Sequence, residues 1–119
     1  MLRKRKRRRH PFLRPVPGDN PDKAVFRLLE RFDQHVGDRR RVDFYLYFPS
    51  ERKAEKALPE LQCLGLIAKM IESERQWLCL ATKTVTLNLH TLTGMRMVLE
   101  DIALRCGGRY DGWETMIHE

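Results

Sequence analysis

The chain has 119 residues, 42% apolar and 33% charged, with a formal net charge of +7. That length suits one domain with a single modest core and is short for two. No apolar run approaches the ~20 residues of a membrane-spanning helix, and Cys63, Cys79 and Cys106 are too widely spaced for a Cys-x-x-Cys pair or a disulfide framework.

The positive charge is concentrated at the start. Arg3, Lys4, Arg5, Lys6, Arg7, Arg8, Arg9 and Arg14 account for eight of the 23 basic residues, and no acid lies among them. What remains nearly balances the 16 acidic residues, so the excess belongs to a tail and not to the body. Mutual repulsion and Pro11, Pro15, Pro17 and Gly18 predict disorder over residues 1–19, followed by a single domain over 20–119. The basic run meets prolines and not an apolar stretch, so it does not read as a secretory signal. With three thiols expected to be buried and reduced, the expected location is the cytoplasm.

Asn20 and Pro21 are a capping residue and a first-turn residue, and Ala24, Val25, Leu28, Leu29, Phe32 and Val36 follow at helical spacing until Gly37. The spacing predicts a helix at about 21–36. Val42 to Phe48 alternates, with Val42, Phe44, Leu46 and Phe48 on one face and Asp43, Tyr45 and Tyr47 on the other, which predicts a strand ended by Pro49. Ser50 is a candidate N-cap for a helix bearing Ala54, Ala57, Leu58 and Leu61, with Pro59 expected to kink it and Gly65 to close it.

Leu66 to Ile71 and Gln76 to Ala81 read as a pair of strands joined through residues 72–75. Thr82 to Leu87 reads as a polar, Thr-rich connection. Asn88 is placed to cap a long helix carrying Leu92, Met95, Leu99, Ile102, Ala103 and Cys106, stopped by Gly107 and Gly108, and Arg109 to His118 reads as a final strand. The order is an extra N-terminal helix followed by β-α-β-β-α-β. This predicts an α+β fold of the split βαβ, ferredoxin-like kind: a four-stranded antiparallel sheet with its helices on one face.

Three segments carry a family likeness. Tyr110-Asp111-Gly112-Trp113-Glu114-Thr115, following a helix that ends in Gly-Gly, resembles the last strand of the ribonuclease E regulator B family. Val42-Asp43-Phe44-Tyr45-Leu46-Tyr47-Phe48-Pro49 resembles the family's first strand, and Trp77-Leu78-Cys79-Leu80-Ala81-Thr82-Lys83 its third. The resemblance spans about residues 40–117. It implies a ferredoxin-like fold and a non-enzymatic regulator, one that docks on the non-catalytic scaffold region of ribonuclease E and restrains the decay of selected transcripts. The near-neutral body and the Arg-rich tail depart from that pattern, whose best-known members are strongly acidic.

Candidate partner-binding residues are Asp111, Trp113, Glu114, Tyr45 and Tyr47. Strict alternation places Tyr110, Gly112 and Glu114 on one face of the last strand and Asp111, Trp113 and Thr115 on the other. Trp113 and Gly112 read better as core packing and a local bend than as contact residues, whereas Asp111 and Glu114 suit either role. The tail residues Arg3 to Arg9 and Arg14 suit sequence-blind attraction to RNA phosphates. The alternative function is direct RNA binding, with the tail assisted by base stacking on Tyr45 and Tyr47. No catalytic residue, metal or cofactor is expected: His10, His35, His90 and His118 fall in unrelated elements, and no nucleophile–base or metal-ligand spacing occurs.

Overall fold

Residues 39–115, together with Arg27 and Gly37, are described by a computed structural model. The alternating segment around Phe44 forms β1, Arg39–Phe48. The chain continues as α1 (Glu51–Cys63), β2 (Ile67–Ser73), β3 (Gln76–Thr86), α2 (Leu89–Arg105) and β4 (Arg109–Thr115). The fold is α+β, with one four-stranded sheet in the order β2-β3-β1-β4. Every neighbouring pair is antiparallel. The tail and the helix expected at 21–36 lie outside the described residues except for Arg27, which is helical and exposed.

Local chemistry sets the helix ends. The Ser50 hydroxyl accepts a hydrogen bond from the Lys53 amide at 3.3 Å and starts α1; the Asn88 side-chain oxygen accepts from the Thr91 amide at 2.8 Å and starts α2. At the far ends, Leu66 N–H donates to the Leu61 carbonyl at 3.2 Å and Gly108 N–H to the Ala103 carbonyl at 2.7 Å, satisfying carbonyls that the helices leave over. α1 runs unbroken through Pro59. Pro59 and Glu55, whose carbonyl loses its donor there, are both exposed, so water can replace the missing bond.

Val42, Phe44, Leu46 and Phe48 of β1 are fully buried against Ala54, Ala57 and Leu61 of α1 and Leu92, Leu99, Ile102 and Ala103 of α2. Both helices therefore cover the same face of the sheet. A second, smaller cluster occupies the reverse face, where Tyr45, Leu78 and Leu80 pack with Tyr47 and Ile71.

Four expectations are corrected. Residues 82–86 are strand and not connection: β1 begins as early as Arg39, and its first residues pair with Thr84, Val85 and Thr86. The loop between β2 and β3 is only Glu74-Arg75, with Ser73 already paired to Gln76. Cys63 is exposed, since the last turn of α1 turns it to solvent, while Cys79 and Cys106 are buried; all three are free thiols. Finally, β4 breaks the alternation expected of it. Phe44 pairs with Trp113 and Leu46 with Tyr110, so Asp111 and Gly112 together oppose Tyr45. Gly112 has φ +103°, backbone that suits glycine in a bulge of this kind. The extra residue turns both Tyr110 and Trp113 toward the helices, where they pack on the main core.

Candidate partner-binding surface

The register fixes what lies on the sheet face away from α1 and α2. At one end Glu114, Asp43, Thr82 and Ile67 form a row across β4, β1, β3 and β2. In the middle, Tyr45, Leu80 and Lys69 line up opposite the bulge. At the other end the row is Arg109, Tyr47, Leu78 and Ile71. Four of the five candidate residues, Tyr45, Tyr47, Asp111 and Glu114, thus belong to this face or its β4 border, and Trp113 belongs to the opposite one.

The two ends differ in character. Asp43 and Glu114 sit directly across from each other and are both buried. The Thr82 hydroxyl donates to Asp43 Oδ1 at 2.9 Å, and Arg41 Nε lies 3.6 Å from the same oxygen. These contacts offset part of the cost of facing two acids across adjacent strands. At the other end the Arg109 guanidinium lies 4.9 Å from the centroid of the Tyr47 ring, a cation–π distance. Its Nη1 donates to Asp111 Oδ1 at 3.1 Å and its Nη2 to Gln76 Oε1 at 3.5 Å. Arg109 therefore joins Tyr47, Asp111 and β3 into one exposed polar corner, with Asp111 at the rim. Burial also differs: Tyr45 retains 4% of its surface, whereas Tyr47 is half-buried and Asp111 exposed.

Arg109 was not among the residues that the sequence suggested. Two of its partners, Tyr47 and Gln76, come from β1 and β3, and only strand register brings them to it. Arg105 was not suggested by the sequence either; it donates to Glu60 Oε1 at 2.7 Å, to Glu60 Oε2 at 3.2 Å and to Asp101 at 2.8 Å, and the Glu60 contact, which helix packing brings together, ties α1 to α2. The bond from Arg105 holds the Glu60 carboxyl below the usual range, and the two carboxylates raise Arg105.

The buried thiols are chemically quiet. Burial pushes Cys79 up to about 12 and raises Cys106 as well, so both stay protonated at neutral pH and are poor nucleophiles. Among the described residues, no group of three or more His, Cys, Asp or Glu could hold a metal ion, and no helix is long and apolar enough to cross a membrane.

No curated protein matches the chain. Residues 19–115, which include every described strand and helix, match the family model for regulator of ribonuclease activity B, and the chain belongs to that family.

Proposed function

We propose that this protein is a non-enzymatic, cytoplasmic regulator that binds the scaffold region of an RNA-decay endoribonuclease of the ribonuclease E type and modulates mRNA turnover. The observation that carries this reading is the family match over residues 19–115. The β-α-β-β-α-β order, the strand order β2-β3-β1-β4 and the placement of both helices on one face support reading the domain over 20–119 as a ferredoxin-like split βαβ.

Within that reading, the docking edge is the β4 border. Asp111 offers charge at the rim, and Tyr47 offers a half-buried ring stiffened by Arg109. Trp113, Glu114 and Tyr45 contribute from beneath, Trp113 by anchoring β4 to the core and the other two by shaping the reverse face.

The second reading, direct RNA binding, is favoured by the tail alone. Eight cations between Arg3 and Arg14 would bind RNA phosphates through counterion release, with affinity falling steeply as salt rises. Stacking of bases on Tyr45 is disfavoured by its burial, since a base needs the face of the ring.

A pull-down with the ribonuclease E scaffold region, combined with a cleavage assay, tests the first reading. Capture with slowed cleavage is expected, and Asp111→Ala with Tyr47→Ala is expected to weaken capture at least tenfold. No capture and unchanged cleavage would remove the assignment. Deleting residues 1–15 tests the second: RNA affinity lost with the tail, and kept in Tyr47→Ala, means electrostatics alone.

A further inference from the structure

The two outer strands of the sheet, β2 and β4, differ in how well each can accept another strand. β4 is broken by its bulge, and Arg109 and Asp111 pair in the stretch before it. β2 has no such defence. Its seven residues pair with β3 without a break in register, and it contains neither proline nor glycine. Ile67 at its start is 78% exposed, more than any other large apolar side chain among the described residues.

The hairpin fixes which main-chain groups of β2 point outward. Ser73 and Gln76 flank the two-residue loop, so theirs is the hydrogen-bonded pair that closes the turn. Hydrogen-bonded pairs alternate along an antiparallel ladder, so Ile71, Lys69 and Ile67 also bond to β3. The amides and carbonyls of Ala68, Met70 and Glu72 therefore face away from β3, and no described strand lies beyond them.

We propose that β2 pairs antiparallel with β2 of a second copy, joining two sheets into one around a two-fold axis at Met70. The sequence of the strand selects both this occupant and this register. A two-fold axis between antiparallel strands sets one residue opposite its own copy. At Lys69 it would oppose two ammonium groups, and at Glu72 two carboxylates. At Ile71 it would draw Glu74 into the ladder, where a φ of 55° is not strand backbone. At either end of β2 only a few residues would pair.

At Met70 all seven residues pair. Met70 meets Met70, Ala68 meets Glu72, Lys69 meets Ile71 and Ile67 meets Ser73, so no like charges stand directly opposite. The outward groups of Ala68, Met70 and Glu72 are then satisfied by about six main-chain hydrogen bonds. The stem of Lys69 lies along Ile71 of the second copy while its ammonium stays in water. The head-to-tail alternative, β2 against β4, meets the bulge and does not close, whereas β2 against β2 closes at two copies. This inference is independent of the nuclease reading.

The test uses the full chain. Sedimentation from about 1 μM to about 1 mM should show the mass rising from one chain to two and no further. Over the same series, amide exchange at Ala68, Met70 and Glu72 should slow several-fold, while Lys69 and Ile71 are slow throughout. Glu72→Pro removes an outward N–H from an exposed position and leaves the ladder with β3 intact. It should stay a single chain with an unchanged circular dichroism spectrum. A single-chain mass at every concentration overturns the proposal, as does growth beyond two chains. So does a dimer in which those three amides exchange no more slowly, since it would use another surface; this reading needs only the unmodified chain and decides the matter if Glu72→Pro does not fold. A folded Glu72→Pro that still dimerises equally overturns it.

Discussion

Gly108 lies directly against Phe48: a Cβ on Gly108 would land on the edge of that ring and on the carbonyl of Tyr47. The glycine that closes α2 is therefore also the point where the helix exit touches the end of β1. Its amide holds the Ala103 carbonyl, so it cannot swing away without undoing the helix end. Gly108→Ala is expected to cost about 1–3 kcal/mol, the range for forcing extra atoms into a packed interior. A urea titration should show a lower midpoint at unchanged slope.

Glu74 gives a change of the opposite sign. It occupies the two-residue loop between β2 and β3 with φ 55°, and no other non-glycine among the described residues has positive φ. Left-handed backbone costs an L-residue about 1–2 kcal/mol, partly balanced by the greater freedom that glycine loses on folding. Glu74→Gly should therefore raise stability by about 0.5–1 kcal/mol, read as a higher thermal midpoint. A fall would mean that the side chain of Glu74 makes a contact worth more than the backbone strain.

Burial raises the Cys79 thiol from its ordinary value near 9.0 to about 12 in the folded chain. The unfolded chain releases this proton first. Between those values it binds fewer protons than the folded chain, so stability declines as pH rises through that window. The alkaline decline should be shallower in Cys79→Ala than in the parent, compared by urea midpoints at pH 8, 9, 10 and 11. At pH 8, a small alkylating reagent should modify exposed Cys63 well before Cys79 or Cys106, as peptide mass mapping would show.

Glu60 titrates below the ordinary glutamate range because Arg105 donates to it. A lowered folded value supplies stability that is present above the unfolded value and is lost as pH falls through the folded one. Arg105→Met should move the Glu60 midpoint upward in a carboxyl-carbon titration and reduce the acid-side loss of stability. The effect on stability at neutral pH should be small, because the pair is open to solvent.

What the sequence reveals divides along a physical line. Features decided within one turn or one strand were legible. Ser50 and Asn88 cap the helices they precede, and Val42, Phe44, Leu46 and Phe48 form the buried face. Features decided by a partner strand were not. The Thr-rich run after Ala81 becomes strand because Arg39, Arg40 and Arg41 lie beside it, which no pattern within the run announces. The Asp111-Gly112 bulge reverses the expected facing of Tyr110 relative to Trp113, since one inserted residue shifts a period of two. The corner of Arg109, Tyr47 and Asp111 depends on that register and so was only half visible, with its acid and its ring foreseen and the cation joining them not.

The bulge in β4 bears on how this molecule behaves among its own kind. β4 is the outermost strand on its side of the sheet, and a straight border strand offers its outward amides and carbonyls as a template for another chain. Here the template is interrupted midway by the Gly112 kink, and the stretch before it carries the ionic pair Arg109 and Asp111. An incoming strand finds only short fragments in register and must strip water from charges to use them. Fibre growth from that flank is thereby discouraged, and the rim is left for visitors that do not pair as strands.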